Sequence, residues 1–500
     1  MVEWDSEEAA LKALKELRQE AVISATHDAG HEFQRPGCHK GTRLAVLQRL
    51  LDWLLGNFEP NKIFLWMHGD AGAGKSSIAQ TFALKCSRER RLLASFFFWG
   101  NDALRSSHTA LVATLIHQAL TAVPALRPLV AAAMQRDPSI LEKNLEHQLF
   151  SLLIEPLNEL ISRPAFDHAY IPSLILIDGL DECSGANHQC SILKAFTEVL
   201  PHCHRKIRIL LTSRAEVEIK AMFNSDPLLQ LSTRVALDAS FKPDADIRNF
   251  LIDKFDEVRS KHPLGPYIPA SWPGNHVIPT LVNRSSGQFI FASTVGKYIS
   301  DPNQKPTEQL DIIMAVRPAP TDTNMPYTEL NALYTHVLTC LPFHKIEKAL
   351  DILFFIILLR PYFSDPSWTP LPGRRTEDVL CSILSLEPAD LVFYLVNLSS
   401  IVEVNIDDAK RHFSTVRLSH TSLGDFLLDP HRSRRFYRHP ETFISKVLCV
   451  YLEHPYPSAE SLYSNNPTYS TSHLLVLSSA GIRFWFQKRG QYPVLALGAC

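Results

Sequence analysis

The sequence predicts an α/β domain with a parallel sheet covered by helices on both faces, followed by a helical subdomain and a winged-helix domain. Up to about residue 240, short continuous apolar runs alternate with helical patterns, which is typical of parallel strands buried on both faces. Helical patterns dominate after that point. Two strand-like stretches joined by a polar turn, residues 401–405 and 414–419, then predict a hairpin within the winged helix.

Five apolar runs are the candidate strands of the parallel sheet. They are residues 62–68, 94–99, 173–177, 207–211 and a fifth near 229–237. Apolar residues at helical spacing predict helices at 5–22, 42–55, 108–121, 141–162 and 421–428. The first of these helices is amphipathic, and the sequence leaves open whether it docks a partner or packs on the core.

Composition indicates a globular protein of more than one domain. A length of 500 residues suggests roughly two to four domains, and 46% hydrophobic with 20% charged residues is close to the globular average. The net charge of −2 provides no overall basic field, so nucleic acid is not expected as a partner. The longest apolar run, residues 352–359, is much shorter than the ~20 residues that span a bilayer. We therefore expect a cytoplasmic protein without membrane contact.

A glycine-rich motif between a predicted strand and a predicted helix carries the clearest chemistry. Residues 69–76 read GDAGAGKS and fit the phosphate-binding pattern G-x-x-x-x-G-K-[ST]. Glycines let several backbone N–H groups point at one phosphate, and the N-terminus of the following helix favours the same anion. Lys75 is expected to reach the β- and γ-phosphates and Ser76 to ligate Mg²⁺. The predicted nucleotide contacts are Gly69, Asp70, Ala71, Gly72, Ala73, Gly74, Lys75, Ser76 and Ser77.

Acidic residues follow the third predicted strand and an arginine follows the fourth. Asp178 ends the run LILID and is placed to hold Mg²⁺ together with Ser76, because ligands bind at the carboxyl edge of such sheets. Asp181 and Glu182 follow within one turn, and one of them is expected to polarise the attacking water. Arg214 ends LLTSR and is the candidate sensor of the γ-phosphate. The first domain is therefore predicted to be a P-loop NTPase that uses ATP or ADP with Mg²⁺.

These motifs resemble the NACHT family of signal-transducing STAND P-loop NTPases, of the fungal NLR-like or nephrocystin-3-like N-terminal type. The segments that carry the resemblance are HGDAGAGKSS, LILIDGLDE, LLTSR, RPGCHKGTR, SSGQFIFASTVGKYI and RLSHTSLGDFLLD. The resemblance implies that His420 contacts the β-phosphate of ADP and that Arg35 to Cys38 lie near the adenine. The chain departs from the family at Phe289, where proline is usual, and in FFFWGND, which lacks the arginine often found after FFF.

The resemblance also implies a domain order and a function. The expected parts are an N-terminal helix and linker (1–30), a NACHT nucleotide-binding domain (31–237), a helical subdomain (238–325), a winged-helix domain (326–435) and a C-terminal tail where relatives carry a sensor region (436–500). The expected function is an ATP/ADP switch with slow hydrolysis that controls oligomerisation or effector exposure, as in innate-immune signalling. Its expected partners are nucleotide and either copies of itself or other signalling proteins. Two alternatives stay open, a non-hydrolysing nucleotide-bound scaffold and a DNA-associated winged-helix ATPase.

Overall fold

The computed structural model describes residues 2–30, 35–164, 166–167, 171–318, 327–360, 376–407 and 412–453. Part of the predicted C-terminal tail, from residue 454 onward, lies outside these residues. So do the Pro-rich stretches 319–326 and 361–375 and the centre of the predicted hairpin turn, residues 408–411.

A five-stranded parallel sheet forms the centre of the N-terminal half, with strand order β2-β3-β4-β1-β5. Its strands are β1 (Phe64–His68), β2 (Leu92–Phe97), β3 (Leu174–Asp178), β4 (Arg208–Ser213) and β5 (Ser232–Ala236). Each strand overlaps an apolar run that predicted one, so the parallel α/β fold is confirmed.

Helices cover both faces of this sheet. They are α1 (Val2–Glu20), α2 (Leu44–Leu55), α3 (Lys75–Arg88), α4 (Ala103–Ser106), α5 (Thr109–Ala122), α6 (Arg127–Arg136), α7 (Leu145–Leu149), α8 (Glu155–Ile161), α9 (Ala186–Val199), α10 (Val217–Phe223) and α11 (Leu228–Leu231). The side chains of β1 alternate between two hydrophobic cores: Phe64 and Trp66 enter one, and Leu65 and Met67 enter the other. This alternation explains the continuous apolar runs, because every position of a strand covered on both faces is buried.

The N-terminal helix is part of the core. It packs against α5 and α6, and Leu17 on its inner face is fully buried. The backbone N–H of Val22, just after the helix, donates to the hydroxyl of Thr114 at 2.9 Å. The question left open by the sequence is settled in favour of packing on the core.

The second half is mainly helical and contains a two-stranded antiparallel hairpin. Its elements are α12 (Pro243–Lys261), α13 (Val277–Ser285), α14 (Phe289–Ile299), α15 (Pro306–Ala315), α16 (Thr328–Thr339), α17 (Phe343–Leu358), α18 (Thr376–Ile383), α19 (Pro388–Leu395), β6 (Val402–Asp407), β7 (His412–Leu418), α20 (Thr421–Leu428), α21 (Pro430–Ser433) and α22 (Pro440–Glu453). One hydrophobic cluster runs through this half, from Ile247 to Val447. The predicted hairpin and the helix after it are present, and the winged-helix assignment stays a prediction.

A basic stretch after α20 folds back onto two preceding helices. Arg432 donates twice to the side-chain oxygen of Asn331 on α16. Arg438 forms ion pairs with Asp351 and Glu347 on α17. Much of the positive charge in this stretch is therefore used inside the molecule.

No single helix in the described part of the chain is both long and apolar enough to cross a membrane, although two sharply bent helix pairs, 109–136 and 376–398, meet the criteria of length and composition.

Candidate nucleotide site

The glycine-rich loop joins β1 to α3 at the carboxyl edge of the sheet, in the strand–loop–helix context that the motif requires. Gly72 and Gly74 adopt left-handed backbone conformations, with φ of +79° and +90°, which favour glycine. Lys75 begins α3, and its Nζ donates to the carbonyls of Gly69 at 2.7 Å and Asp70 at 3.0 Å. These contacts hold the ammonium over the mouth of the loop. Burial lowers the pKa of Lys75, and the carboxylate of Asp181 opposes that shift.

Arg43 is not one of the predicted site residues, yet it contacts the phosphate loop. Its side chain is buried, and its Nη2 donates to the carbonyl of Ala73 at 2.7 Å. The guanidinium lies 4.6 Å from the ring centroid of Phe289, and the backbone N–H donates to Asp246 at 3.0 Å. Arg43 thus joins the phosphate loop to α12 and α14. Its only signal in the sequence was its place in the lead-in segment RPGCHKGTR.

Helix α14 also touches the loop directly. A Cβ atom added at Gly72 would lie 2.2 Å from Cγ2 of Ile290. That residue follows Phe289, the position where the chain departs from the NACHT pattern. Phe289 therefore packs against Arg43, and its neighbour packs against the phosphate loop.

Asp178 has the environment of a metal ligand. It is fully buried, and its Oδ1 accepts a hydrogen bond from the hydroxyl of Thr212 at 2.5 Å. No residue in the described ranges donates a hydrogen bond to its Oδ2. A buried carboxylate oxygen beside a phosphate loop that accepts no hydrogen bond fits a hard cation. Ser76 and Asp178 would therefore hold Mg²⁺, which would supply charge neutralisation at the phosphates.

The two acids after Asp178 have different environments. Asp181 accepts the backbone N–H of Arg214 at 3.1 Å and pairs with its Nε at 3.3 Å. Glu182 accepts only the backbone N–H of Gly100, at 3.1 Å, among the hydrogen bonds recorded for the described residues. Burial raises the pKa of Glu182 to about 7, Arg35 opposes this shift, and Asp181 adds to it.

Arg214 connects the sheet to α20 in the second half. Its Nη1 lies 2.9 Å from Oδ2 of Asp425, while its Nε pairs with Asp181 on the other side. Burial lowers the pKa of Arg214, but Asp425 and Asp181 outweigh it and raise that pKa. The sequence predicted Arg214 as a site residue and missed Asp425.

His420 enters the same cavity from the second half of the chain. It caps the N-terminus of α20, where its Nδ1 accepts the backbone N–H of Ser422 at 3.0 Å. That hydrogen bond assigns the imidazole proton to Nε2. Burial lowers the pKa of His420 to about 3, and the charges of Lys75 and Arg214 contribute. His420 is therefore a neutral donor at physiological pH.

A cavity of about 830 Å³ connects these groups, and ligand pockets typically measure about 300–1,000 Å³. Lys75, Ser76, Glu182, Arg214 and His420 all line it, as do the lead-in residues 35–39. The resemblance implied that Arg35 lies with the base. The position of the segment from Arg35 to Cys38 near the adenine stays a prediction, and the guanidinium of Arg35 lies beside Asp178 and donates to the carbonyl of Phe98.

The fold and the site together define a P-loop NTPase. Residues 41–214 match the family described as Nephrocystin 3, N-terminal. This match covers the phosphate loop, the acidic strand end and the LLTSR strand. The predicted resemblance to the nephrocystin-3-like N-terminal type is therefore confirmed for this part of the chain. Among curated proteins, no match was found.

Three solved structures illustrate the similarity of fold. A STAND protein with a tetratricopeptide repeat sensor from Pyrococcus horikoshii is 14% identical, with a TM-score of 0.40 over 88% of this chain and 49% of that one. The chain thus spans about half the length of that protein. The ORC1 protein of Aeropyrum pernix in complex with DNA is 14% identical (TM-score 0.31, 76% and 90% coverage). Drosophila ORC bound to DNA is 13% identical (TM-score 0.29, 79% and 100% coverage). That nucleic acid is not a partner of this chain stays a prediction.

Proposed function

We propose that this chain is an ATP/ADP switch in which the nucleotide decides whether α20 and the β6–β7 hairpin stay docked on the P-loop domain. The observation that carries the proposal is the position of Arg214. Its guanidinium pairs with Asp181 next to the catalytic edge and with Asp425 on α20 at the same time. One side chain therefore links the phosphate site to the second half of the molecule.

A terminal phosphate near Arg214 would compete with Asp425 for the guanidinium. Both groups can accept two parallel hydrogen bonds from the guanidinium, and phosphate is the stronger partner because it carries more negative charge. When Arg214 turns to the phosphate, α20 loses its ion pair with the P-loop domain. A triphosphate would thus favour the undocked arrangement, whereas a diphosphate would leave the Arg214–Asp425 pair intact. This is a shift between two populations, driven by different contacts to the two nucleotides.

His420 would favour the docked arrangement when a diphosphate is bound. A neutral imidazole with its proton on Nε2 can donate to a phosphate oxygen without carrying charge. Because His420 begins α20, that hydrogen bond would add to the hold of the Arg214–Asp425 pair on the same helix. Loss of either contact is expected to release ADP faster.

Hydrolysis would return the switch to the diphosphate state, with Glu182 as the group that orients water. Asp181 is already engaged by Arg214, whereas Glu182 keeps a carboxylate oxygen for a water molecule. A pKa of about 7 for Glu182 suits a general base near neutral pH. Measurable turnover would separate this proposal from a non-hydrolysing scaffold.

The output of the switch would be an exposed surface that binds a second copy of the chain or another signalling protein. The support for this step, and for a role in innate-immune signalling, is the resemblance to NACHT proteins. A shift in mass by light scattering when Mg²⁺ and a non-hydrolysable ATP analogue replace ADP is the test of self-association. DNA binding that weakens steeply with salt would instead favour the DNA-associated alternative.

The first prediction concerns the bound nucleotide. The purified chain is expected to carry close to one ADP or ATP per molecule, and Lys75→Ala is expected to remove it. The reason is that the ammonium lies over the mouth of the loop, where it meets the phosphate charge. Denaturation followed by chromatography measures the content. Lys85→Ala, which removes an exposed lysine later in the same helix, is the matched control. Equal content in both variants would contradict the assignment of the loop.

The second prediction concerns the docked arrangement. Asp425→Asn is expected to speed the dissociation of ADP by roughly fivefold, since a partly exposed ion pair contributes about 1 kcal/mol. Stopped-flow release of a fluorescent ADP analogue measures the rate. Asp311→Asn removes a carboxylate from an exposed position on α15 and is expected to change nothing. Unchanged release from Asp425→Asn would argue against coupling through Arg214.

A further inference from the structure

Arg35 lies among the catalytic acids although it belongs to none of the phosphate-binding motifs. We propose that Arg35 reads the terminal phosphate: it pairs with Asp178 when a diphosphate is bound and donates to the γ-phosphate when a triphosphate is bound. This inference rests on the proposed function, because it needs a nucleotide in the cavity. Arg35, from the lead-in segment, would then be a second cation besides Arg214 that contacts the terminal phosphate.

The position of Arg35 is fixed from two neighbouring strands. Its Nη2 donates to the carbonyl of Phe98, just beyond the end of β2. Its Nη1 lies 3.9 Å from Oδ2 of Asp178, at the end of β3. Because β2 and β3 are adjacent in the sheet, the guanidinium bridges their carboxyl ends. That edge is where ligands bind in parallel α/β sheets.

The contact between Arg35 and Asp178 is weak enough for a phosphate oxygen to replace the carboxylate as the partner of the guanidinium. A separation of 3.9 Å is an ion pair without a hydrogen bond, and Oδ2 of Asp178 receives none from the part of the chain that the structure describes. A phosphate oxygen would offer the guanidinium a charge-assisted hydrogen bond. The side chain of Arg35 is 19% exposed and lines the nucleotide cavity, so the cation faces the space that phosphates would enter.

The charge of Arg35 also acts on the other groups of the site. It opposes the burial-driven rise in the pKa of Glu182, and it contributes to the low pKa of His420. Arg35 therefore lies close enough to influence both the acid proposed to orient water and the histidine proposed to hold ADP. A change in the position of Arg35 would therefore alter the pKa values of both Glu182 and His420.

Arg105 is another arginine near the end of β2, and its contacts differ from those of Arg35. Its side chain is 2% exposed, and its Nε pairs with Asp102 at 3.1 Å. Its guanidinium lies 4.1 Å from the ring centroid of Trp99. These contacts hold Arg105 within the domain. The ion pair of Arg35 is longer than that of Arg105, so Arg35 is the arginine that can more easily leave its carboxylate for a phosphate oxygen.

The test compares the affinities of ADP and a non-hydrolysable ATP analogue, each with Mg²⁺, by isothermal titration calorimetry on the full chain. Arg35→Gln removes the charge and the guanidinium that contacts the carbonyl of Phe98, and it keeps a polar side chain. It is expected to weaken binding of the ATP analogue roughly 10- to 100-fold, as befits a hydrogen bond to a charged group, and to change the ADP affinity less than about twofold. Lys40→Ala, which removes an exposed cation from the same segment, is the control and is expected to leave both affinities unchanged.

Two outcomes would overturn the inference. Equal losses for both nucleotides would mean that Arg35 only supports the site, and unchanged affinities would mean that it does not touch the phosphates. If Arg35→Gln does not fold, Arg35→Lys replaces it, because lysine keeps the charge but lacks the two parallel donors of the guanidinium. Arg35→Lys must then weaken binding of the ATP analogue more than binding of ADP, although by a smaller factor. A wild-type chain that binds neither nucleotide would reject the proposed function itself, a result distinct from selective failure of the Arg35 variants.

Discussion

Glu182→Gln is expected to lower steady-state ATP hydrolysis by about 100-fold or more, the usual contribution of a general base, while ADP and ATP still bind. The substitution keeps the size of the side chain and the contact to Gly100, but removes the carboxylate that would orient water. Nucleotide turnover and calorimetric affinity, measured on one preparation, separate the two effects. Glu198→Gln, on the exposed side of α9, is the matched control. Wild-type turnover in the Glu182 variant would move the catalytic role elsewhere, and no turnover in the wild type would favour a scaffold.

The pH dependence of the same residue gives an independent check. With a pKa of about 7 for Glu182, turnover is expected to rise between pH 6 and 8 as the carboxyl ionises. The stability of the nucleotide-free protein should change in the opposite direction. The pKa of Glu182 is raised from its ordinary 4.5, so the folded state binds the proton more tightly, and this stabilisation is lost as the pH rises through about 7. Glu182→Gln cannot ionise and is expected to lose less stability than the wild type between pH 5 and 8.

Gly72→Ala is expected to lower the free energy of unfolding by about 2–4 kcal/mol. Part of this cost is conformational, because a φ of +79° disfavours alanine by about 1 kcal/mol. The rest is steric, because the new Cβ would lie 2.2 Å from Cγ2 of Ile290 and overpacking costs roughly 1–3 kcal/mol. Either the phosphate loop or α14 must move. Urea unfolding measures the loss, and ADP affinity is expected to fall with it.

A double-mutant cycle isolates the contact between the loop and α14. Ile290→Ala removes the methyl group at 2.2 Å and keeps the Cβ at 3.0 Å, so the double variant should recover most of the steric cost and keep the conformational cost. Gly30→Ala is the control, since a Cβ there would meet no atom within 4 Å and its backbone is not left-handed. Purely additive effects of Gly72→Ala and Ile290→Ala would contradict direct packing of α14 on the loop.

The sequence predicted those elements whose structure is determined by residues close together in the chain. Each strand of the sheet has its own apolar run, and the loop from Gly69 to Lys75 carries its function in consecutive residues. The helix predicted at 421–428 begins and ends at those residues, because His420 supplies an N-terminal cap. In contrast, the predicted helix at 141–162 is interrupted by a π-helical turn at Phe150–Ile154. The spacing of apolar residues alone does not predict a change from α-helical to π-helical hydrogen bonding.

The contacts that the sequence missed join residues far apart in the chain. Asp425 lies in the segment RLSHTSLGDFLLD, but nothing in that segment showed that folding brings its carboxylate to Arg214. Arg43 carries no phosphate-binding signature, and its role depends on Ala73 and Phe289. The place of Arg35 in a lead-in segment did not reveal that its long side chain ends beside Asp178. Long-range pairing of charged side chains thus limits what can be predicted for this site.

Hydrogen–deuterium exchange of α20 tests the central claim most directly. Peptides that cover residues 421–428 are to be compared with ADP and with a non-hydrolysable ATP analogue, both with Mg²⁺, and peptides from β3 serve as the internal reference. The account predicts slow exchange in α20 with ADP and faster exchange with the ATP analogue, while β3 stays protected in both. Equal exchange of α20 with the two nucleotides, both bound at saturation, would contradict a nucleotide-controlled switch.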